Sequence, residues 1–230
     1  MKIRYFTLPN IITLGNLLCG CLAIWAAWCA GNMQLAFVLV ALGCVFDFMD
    51  GLAARLLGQY SPLGVQLDSL ADMVTFGVAP AATLSLSIKL CGGDLLLASA
   101  AMIVPLFSAL RLARFNIDQE QKVSFRGLPT PANALLITSI GYLIQDSRLS
   151  VGPWFPVLLA VVCAWLLICP VEMFSFKFTS LAWRPNAVRY CFAAVAAVGL
   201  ALMDIAAVPV IIGLYIVVSV VMWILKRWRG

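Results

Sequence analysis

The 230 residues are 63% hydrophobic and only 11% charged, with a mean hydropathy of +1.03. A soluble domain carries about 45 to 50% apolar residues, so a water-soluble globule is excluded. The net charge of +5 is no nucleic-acid footprint, because its cations fall between apolar runs, where membrane topology and anionic headgroups account for them.

A spanning helix needs about 20 apolar residues, and in chain order the runs predict spans at 11–30, 33–57, 65–88, 94–113, 130–146, 154–170, 187–203 and 205–225. These are long continuous runs rather than short alternating ones, so helices and not barrel strands are expected. The expected fold class is an all-α, polytopic transmembrane helical bundle of about eight spans, a single domain over 1–230 with no linker or internal repeat. The first run follows a basic start (Lys2, Arg4) and contains LCGC at 18–21, an imitation of a lipoprotein cleavage site. Pro9, Asn10 and Asn16 interrupt that run, so we expect an uncleaved first helix.

Thirteen of the fifteen Lys and Arg residues fall at the N-terminus, in the even-to-odd loops or in the C-terminal tail, and only Lys89 and Arg148 fall on the other side. The positive-inside rule then puts both termini in the cytoplasm. The chain has no histidine, which removes imidazole chemistry. Its eight cysteines (Cys19, Cys21, Cys29, Cys44, Cys91, Cys163, Cys169 and Cys191) include no CxxC pair, so they are read as packing thiols rather than zinc ligands.

Polar residues concentrate at 46–72 and 109–134, both on the expected cytoplasmic side. A third cytoplasmic segment, 171–186, sets Lys177 and Arg184 among Phe and Trp, a composition suited to headgroup anchoring. Four of the ten acidic residues, Asp47, Asp50, Asp68 and Asp72, lie within 46–72. Asp47 and Asp50 are spaced i, i+3, and Asp68 and Asp72 i, i+4, so each pair shares one helical face. Gly58, Pro62 and Gly64 between them predict a turn that brings the two faces together. An unpaired carboxylate costs about 2.5 to 3.5 kcal/mol at the bilayer centre, and Arg55 alone does not balance four of them. Oxygen ligands without thiolate or imidazole favour Mg²⁺ or Mn²⁺, and Ca²⁺ also fits. This chemistry leaves two functions open, a metal-dependent phosphoryl-transfer enzyme and a cation- or proton-coupled transporter.

The residues Asp47, Asp50, Gly51, Ala54, Arg55, Gly64, Asp68 and Asp72 also fit the pattern D-x2-D-G-x2-A-R-x8-G-x3-D-x3-D at every fixed position. That pattern resembles the signature of the CDP-alcohol phosphotransferases. The resemblance implies transfer from a CDP-linked lipid to an alcohol with release of CMP. It further implies that Asp47, Asp50, Asp68 and Asp72 ligate a divalent metal pair, with Asp72 also the general base, and that Gly51, Ala54, Arg55 and Gly64 shape the CDP-lipid pocket. LPNIITLGNLLCG at 8–20, RLARFN at 111–116 and FRGLPTPANA at 125–134 are similar to the integral-membrane phosphatidylserine synthase branch, which implies CDP-diacylglycerol and L-serine as substrates. Arg111, Arg114, Asn116, Arg126 and Asn133 are the candidate serine contacts, an Arg fork being the natural partner of a carboxylate. The same cations also fit positive-inside topology, and Pro129 and Pro131 also fit the start of the fifth helix. Glycerol 3-phosphate, inositol phosphate and choline remain alternative acceptors. The resemblance further implies a homodimer, and a bacterial inner membrane, or an archaeal one, is the expected location, with the site facing the cytoplasm.

Overall fold

Polar caps start the first four helices of this otherwise apolar chain. In the computed structural model, which describes residues 5–117, 126–173 and 196–229, the Thr7 side chain accepts from the Asn10 N–H to open α1 (Leu8–Trp28). Asn32 accepts from Leu35 to open α2 (Met33–Leu56), and Ser61 accepts from Gly64, with Pro62 in the first turn, to open α3 (Pro62–Leu90). Each oxygen satisfies a backbone donor that the helix leaves orphaned, a need that lipid makes absolute. Asp94 begins α4 (Leu95–Ile117) in the same way. Further helices are α5 (Thr130–Gln145), α6 (Trp154–Ile168) and α7 (Ala207–Arg229), and residues 196–203 are helical as well.

The expectation of an all-α polytopic membrane protein is met. Helices α1 to α4 and the segment Ala196–Trp228 are long and apolar enough to cross a membrane. Helix α6 has 15 residues and rises only about 22 Å, short of a hydrocarbon core of about 30 Å. The last apolar segment is not one rod. Asp204 has φ 55°, and a side chain built at Gly199 would lie 3.7 Å from Ile211 Cδ1, whereas twelve residues of straight helix span about 18 Å. The chain therefore reverses at Asp204, close to the border expected between 203 and 205. Most of the expected seventh span, together with Lys122, Lys177, Arg184, Arg189 and Cys191, lies outside the described residues.

Helix α1 packs along α2, and α3 sits between α1, α4 and α5. The inner face of α1 is small or polar (Asn10, Thr13, Asn16, Gly20, Ala23, Ala27), while Leu14, Leu18, Leu22 and Trp25 point outward. Such inverted amphipathicity is what lipid selects, since small residues let helices approach and large apolar ones gain nothing by burial. At Gly20 a β-carbon would stand 2.8 Å from the Thr75 Cα, and at Gly43 it would stand 2.5 Å from the Thr75 Cγ2. Both glycines are required by contact with α3.

Helix α3 is irregular at Thr75. Its residues Met73–Val78 form a π-helical turn directly after Asp72, which the sequence did not announce. Pro80, just beyond, lacks a donor and its ring crowds the carbonyl four residues back, which favours opening the helix there.

The two ends of the bundle differ. At one end the Gln145 side chain accepts from Met33 N and donates to the Gly31 carbonyl, and Lys89 lies 5.7 Å from the Trp28 ring. At the other end the α2–α3 turn, with Gly58 at φ 61°, meets the start of α1. The carboxylates lie toward this second end. Gly127, at φ 80°, has its N–H bonded to the Val171 carbonyl, so the backbone before α5 is tied to the end of α6. Pro129 and Pro131 do open α5.

Gly20→Ala is expected to cost about 1–3 kcal/mol by overpacking, lowering Tm by about 2–4 °C for each kcal/mol in a chain of this size. Gly152→Ala, with nothing within 4 Å of the added carbon, should leave Tm unchanged. Thermal unfolding in detergent compares the two.

Candidate metal and nucleotide site

Because α2 and α3 are joined by five residues turning at Gly58, their acidic faces meet. Asp47, Asp50 and Asp68 bring carboxylate oxygens within 4.8 Å of one another. Among the described residues none of the four carboxylates forms an ion pair. Asp68 Oδ1 is buried with no hydrogen-bond partner. A trio of converging carboxylates with an orphaned buried oxygen fits a divalent cation, since a hard ion supplies both the missing charge and the missing partner.

Asp72, the fourth carboxylate, lies outside this trio. It is buried, and its Oδ1 accepts from Asn16 Nδ2 of α1 at 3.0 Å. Asp50 Oδ2 accepts from Thr13 Oγ1 at 2.6 Å. Sequence reasoning missed both α1 residues, taking Asn16 only as an interruption of the first apolar run. Polar residues at i, i+3 inside a span were the available signal.

A cavity of about 640 Å³ opens beside the trio, with Asp50 and Asp68 in its wall. Gly51, Ala54, Arg55 and Gly64 line it as well, so the four residues assigned to the CDP-lipid converge on one space. A β-carbon at Gly51 would meet only the Arg55 guanidinium, at 3.8 Å, which leaves the α2 backbone bare to a ligand. Arg55 folds back so that its Nε donates to the Gly51 carbonyl at 2.9 Å, and its terminal amino groups keep donors for a phosphate. Tyr60 and Phe115 add aromatic surface to the rim.

The five candidate acceptor residues are not brought together. Arg114, Asn116 and Arg126 are exposed, and Asn116 Nδ2 donates to Ser69 Oγ at 2.8 Å. Arg111 and Asn133 turn inward. Asn133 is fully buried with neither amide atom partnered, and Arg111 Nε is likewise buried without a partner. Arg111 Nη1 reaches Thr130 Oγ1 at 3.4 Å, and the guanidinium stands within Coulombic range of Asp72 and Tyr215. Arg111 is thus tied to α5 and lies one turn along α4 from the buried hydroxyl of Ser108.

Residues 6–169 match the family model described as CDP-alcohol phosphatidyltransferase. The chain is 36% identical over 145 residues to a CDP-diacylglycerol–serine O-phosphatidyltransferase of Bacillus subtilis, a match covering 63% of this chain and 81% of that protein. It is 30% identical over 227 residues to the protein of the same name from Helicobacter pylori, covering 95% and 92% of the two chains. A third relative of that name, from Methanocaldococcus jannaschii, is 39% identical over 143 residues, covering 62% of this chain and 64% of its own. The chain therefore belongs to the CDP-alcohol phosphatidyltransferase family and is a membrane-embedded transferase, which removes the transporter reading.

A cation bound by the trio stabilises the folded chain by about 2.7 kcal/mol at a hundredfold excess over its Kd. Titration with Mn²⁺ should raise Tm by several degrees in the native chain and by little or nothing in Asp68→Asn. An equal rise in the variant would remove the trio as the cation site.

Proposed function

We propose that the protein transfers the phosphatidyl group of CDP-diacylglycerol to the hydroxyl of L-serine, giving phosphatidylserine and CMP. The observation that carries this reading is the nucleotide-sized cavity whose wall contains both the Gly51, Ala54, Arg55 and Gly64 surface and two carboxylates of the trio. The names of the relatives favour serine as the acceptor.

In this reading the cytidine diphosphate enters along the bare backbone of Gly51 and Gly64, and Arg55 donates to a phosphate oxygen. Asp47, Asp50, Asp68 and Asp72 would hold a pair of Mg²⁺ or Mn²⁺ ions, which would offset charge on the diphosphate. Arg111 takes the serine carboxylate, since its Nε is buried without a partner and its Nη1 reaches only Thr130 Oγ1 at 3.4 Å. Asn133, with its amide unpartnered, lies one turn along α5 from Thr130 and offers a further polar contact. The serine hydroxyl then attacks the phosphorus that bears diacylglycerol, in line with the bridging oxygen. A serine oxygen–phosphorus bond forms, the phosphorus–oxygen bond to CMP breaks, and Asp72 accepts the hydroxyl proton. The clustering of cations at the carboxylate end supports a site facing the cytoplasm, in a bacterial inner membrane.

Purified protein with Mn²⁺ should release CMP from CDP-diacylglycerol only when serine is supplied; release with glycerol 3-phosphate and not serine would reassign the acceptor. Asp72→Asn should bind CDP-diacylglycerol normally while kcat falls about 10²- to 10⁴-fold, the usual contribution of a general base. Arg111→Gln should raise the KM for serine about tenfold or more, the size expected for a charge-assisted hydrogen bond, and Arg126→Gln should leave it unchanged. Steady-state CMP release measures all three.

A further inference from the structure

Helix α1 contributes none of the acidic residues, yet it touches the carboxylates of both other site helices. Thr13 and Asn16 are three residues apart and so share one face. From that face Thr13 Oγ1 donates to Asp50 Oδ2 of α2 at 2.6 Å, and Asn16 Nδ2 donates to Asp72 Oδ1 of α3 at 3.0 Å. Both side chains are buried, Thr13 at 3% exposure and Asn16 at 0%, so neither bond is a surface accident. The Thr13 hydroxyl has one proton and a second acceptor in reach, the Pro9 carbonyl at 3.0 Å. The shorter, charge-assisted contact with the carboxylate takes it.

Asn16 is itself fixed from two sides. The Thr75 hydroxyl, within the π-helical turn, donates to the Asn16 backbone carbonyl at 2.9 Å. At Gly43 the absence of a side chain leaves room for the Asn16 amide, since a β-carbon there would stand 3.0 Å from its Oδ1. That Oδ1 is buried and has no partner, while the amide nitrogen is directed at Asp72. An asparagine packed only for volume would not hold its one donor contact toward a carboxylate and leave its acceptor unmet.

We propose that Thr13 and Asn16 are positioning residues, a two-point clamp with which α1 fixes Asp50 for cation binding and Asp72 for proton acceptance. The inference rests on the reading of the carboxylates as a metal and base site, and it adds a division of labour. Thr13 acts through the cation site, by fixing one oxygen of Asp50. Asn16 acts through the base, by fixing one oxygen of Asp72 and leaving the other to face the acceptor. Loss of such supporting hydrogen bonds weakens metal affinity or activity by about 10- to 100-fold in known metal sites.

The test uses the full-length protein in detergent and two readouts, the Mn²⁺ half-saturation of the rise in Tm and the kinetics of CMP release with serine. Thr13→Val, which keeps the shape and loses the donor, should raise the Mn²⁺ half-saturation about tenfold or more, and Thr13→Ser should restore it. Asn16→Leu and Asn16→Asp should lower kcat about 100-fold while the KM for serine stays within about threefold of the native chain; because Asp72 is also a proposed ligand, the Mn²⁺ half-saturation is judged from the Thr13 pair. If the native chain itself neither binds Mn²⁺ nor releases CMP, the underlying reading falls and takes the clamp with it. If the native chain does both, and the variants lose Tm while half-saturation and kcat stay native, the two residues are structural only and the clamp is refuted. Should neither Asn16 variant fold, the Thr13 pair decides alone, a native half-saturation in Thr13→Val overturning the proposal.

Discussion

Mutual repulsion among carboxylates in a poorly hydrated place is the constraint on which the rest of this structure depends. Asp47, Asp50 and Asp68 have oxygens within 4.8 Å of one another, and a bilayer gives them little water to screen the charge. Nothing in α2 and α3 alone would hold them there. The five-residue turn at Gly58 forces the two helices side by side, and α1 supplies donors to Asp50 and Asp72. Close approach of α1, α2 and α3 is possible only because Gly20 and Gly43 present no side chain to Thr75. Small residues, polar caps and acidic residues are thus parts of one solution, in which the helices approach closely enough for a cation and a few hydrogen bonds to replace water.

The same constraint explains why the site can act on a lipid-linked diphosphate. A cluster that is short of positive charge attracts a cation, and a bound cation attracts phosphate. The cavity lies on the side of the cluster where α2 and α3 carry Gly51, Ala54 and Gly64 instead of bulky residues. Arg111 lies outside the wall of that cavity and has a buried donor still to be used. A diphosphate approaching from the cavity and a small carboxylate-bearing alcohol approaching from α4 and α5 would meet near Asp72. Family membership through residues 6–169 agrees with that geometry, and the proposed serine acceptor follows the name that the relatives share.

What could be read from the sequence was what helical periodicity and local chemistry determine. The Asp47–Asp50 and Asp68–Asp72 faces, the turn at Gly58 and the convergence of Gly51, Ala54, Arg55 and Gly64 followed from spacing and from the motif. The clamp by Thr13 and Asn16 did not, because an apolar run containing two polar residues states nothing about which distant carboxylate each one meets. The π-helical turn after Asp72 packs its Thr75 against Gly20 of α1 and Gly43 of α2, and such tertiary contacts leave little local trace. The acceptor residues were only partly legible for a different reason. A cation that serves topology and one that faces a pocket look alike in sequence, and burial alone separates Arg111 from Arg114 and Arg126. The reversal at Asp204 falls at the border expected between 203 and 205, and the short fifth and sixth helices, Thr130–Gln145 and Trp154–Ile168, match the runs expected at 130–146 and 154–170.

The central claim is that the acidic faces of α2 and α3 form a cation site that the diphosphate of the lipid substrate shares. Anomalous diffraction at the manganese edge, from crystals grown with Mn²⁺ and CDP-diacylglycerol, tests it directly. The account predicts strong anomalous density between Asp47, Asp50 and Asp68, in contact with a phosphate oxygen of a nucleotide lying along Gly51 and Gly64. Nucleotide bound there with no anomalous density among the carboxylates, from protein that is active with Mn²⁺, would contradict it.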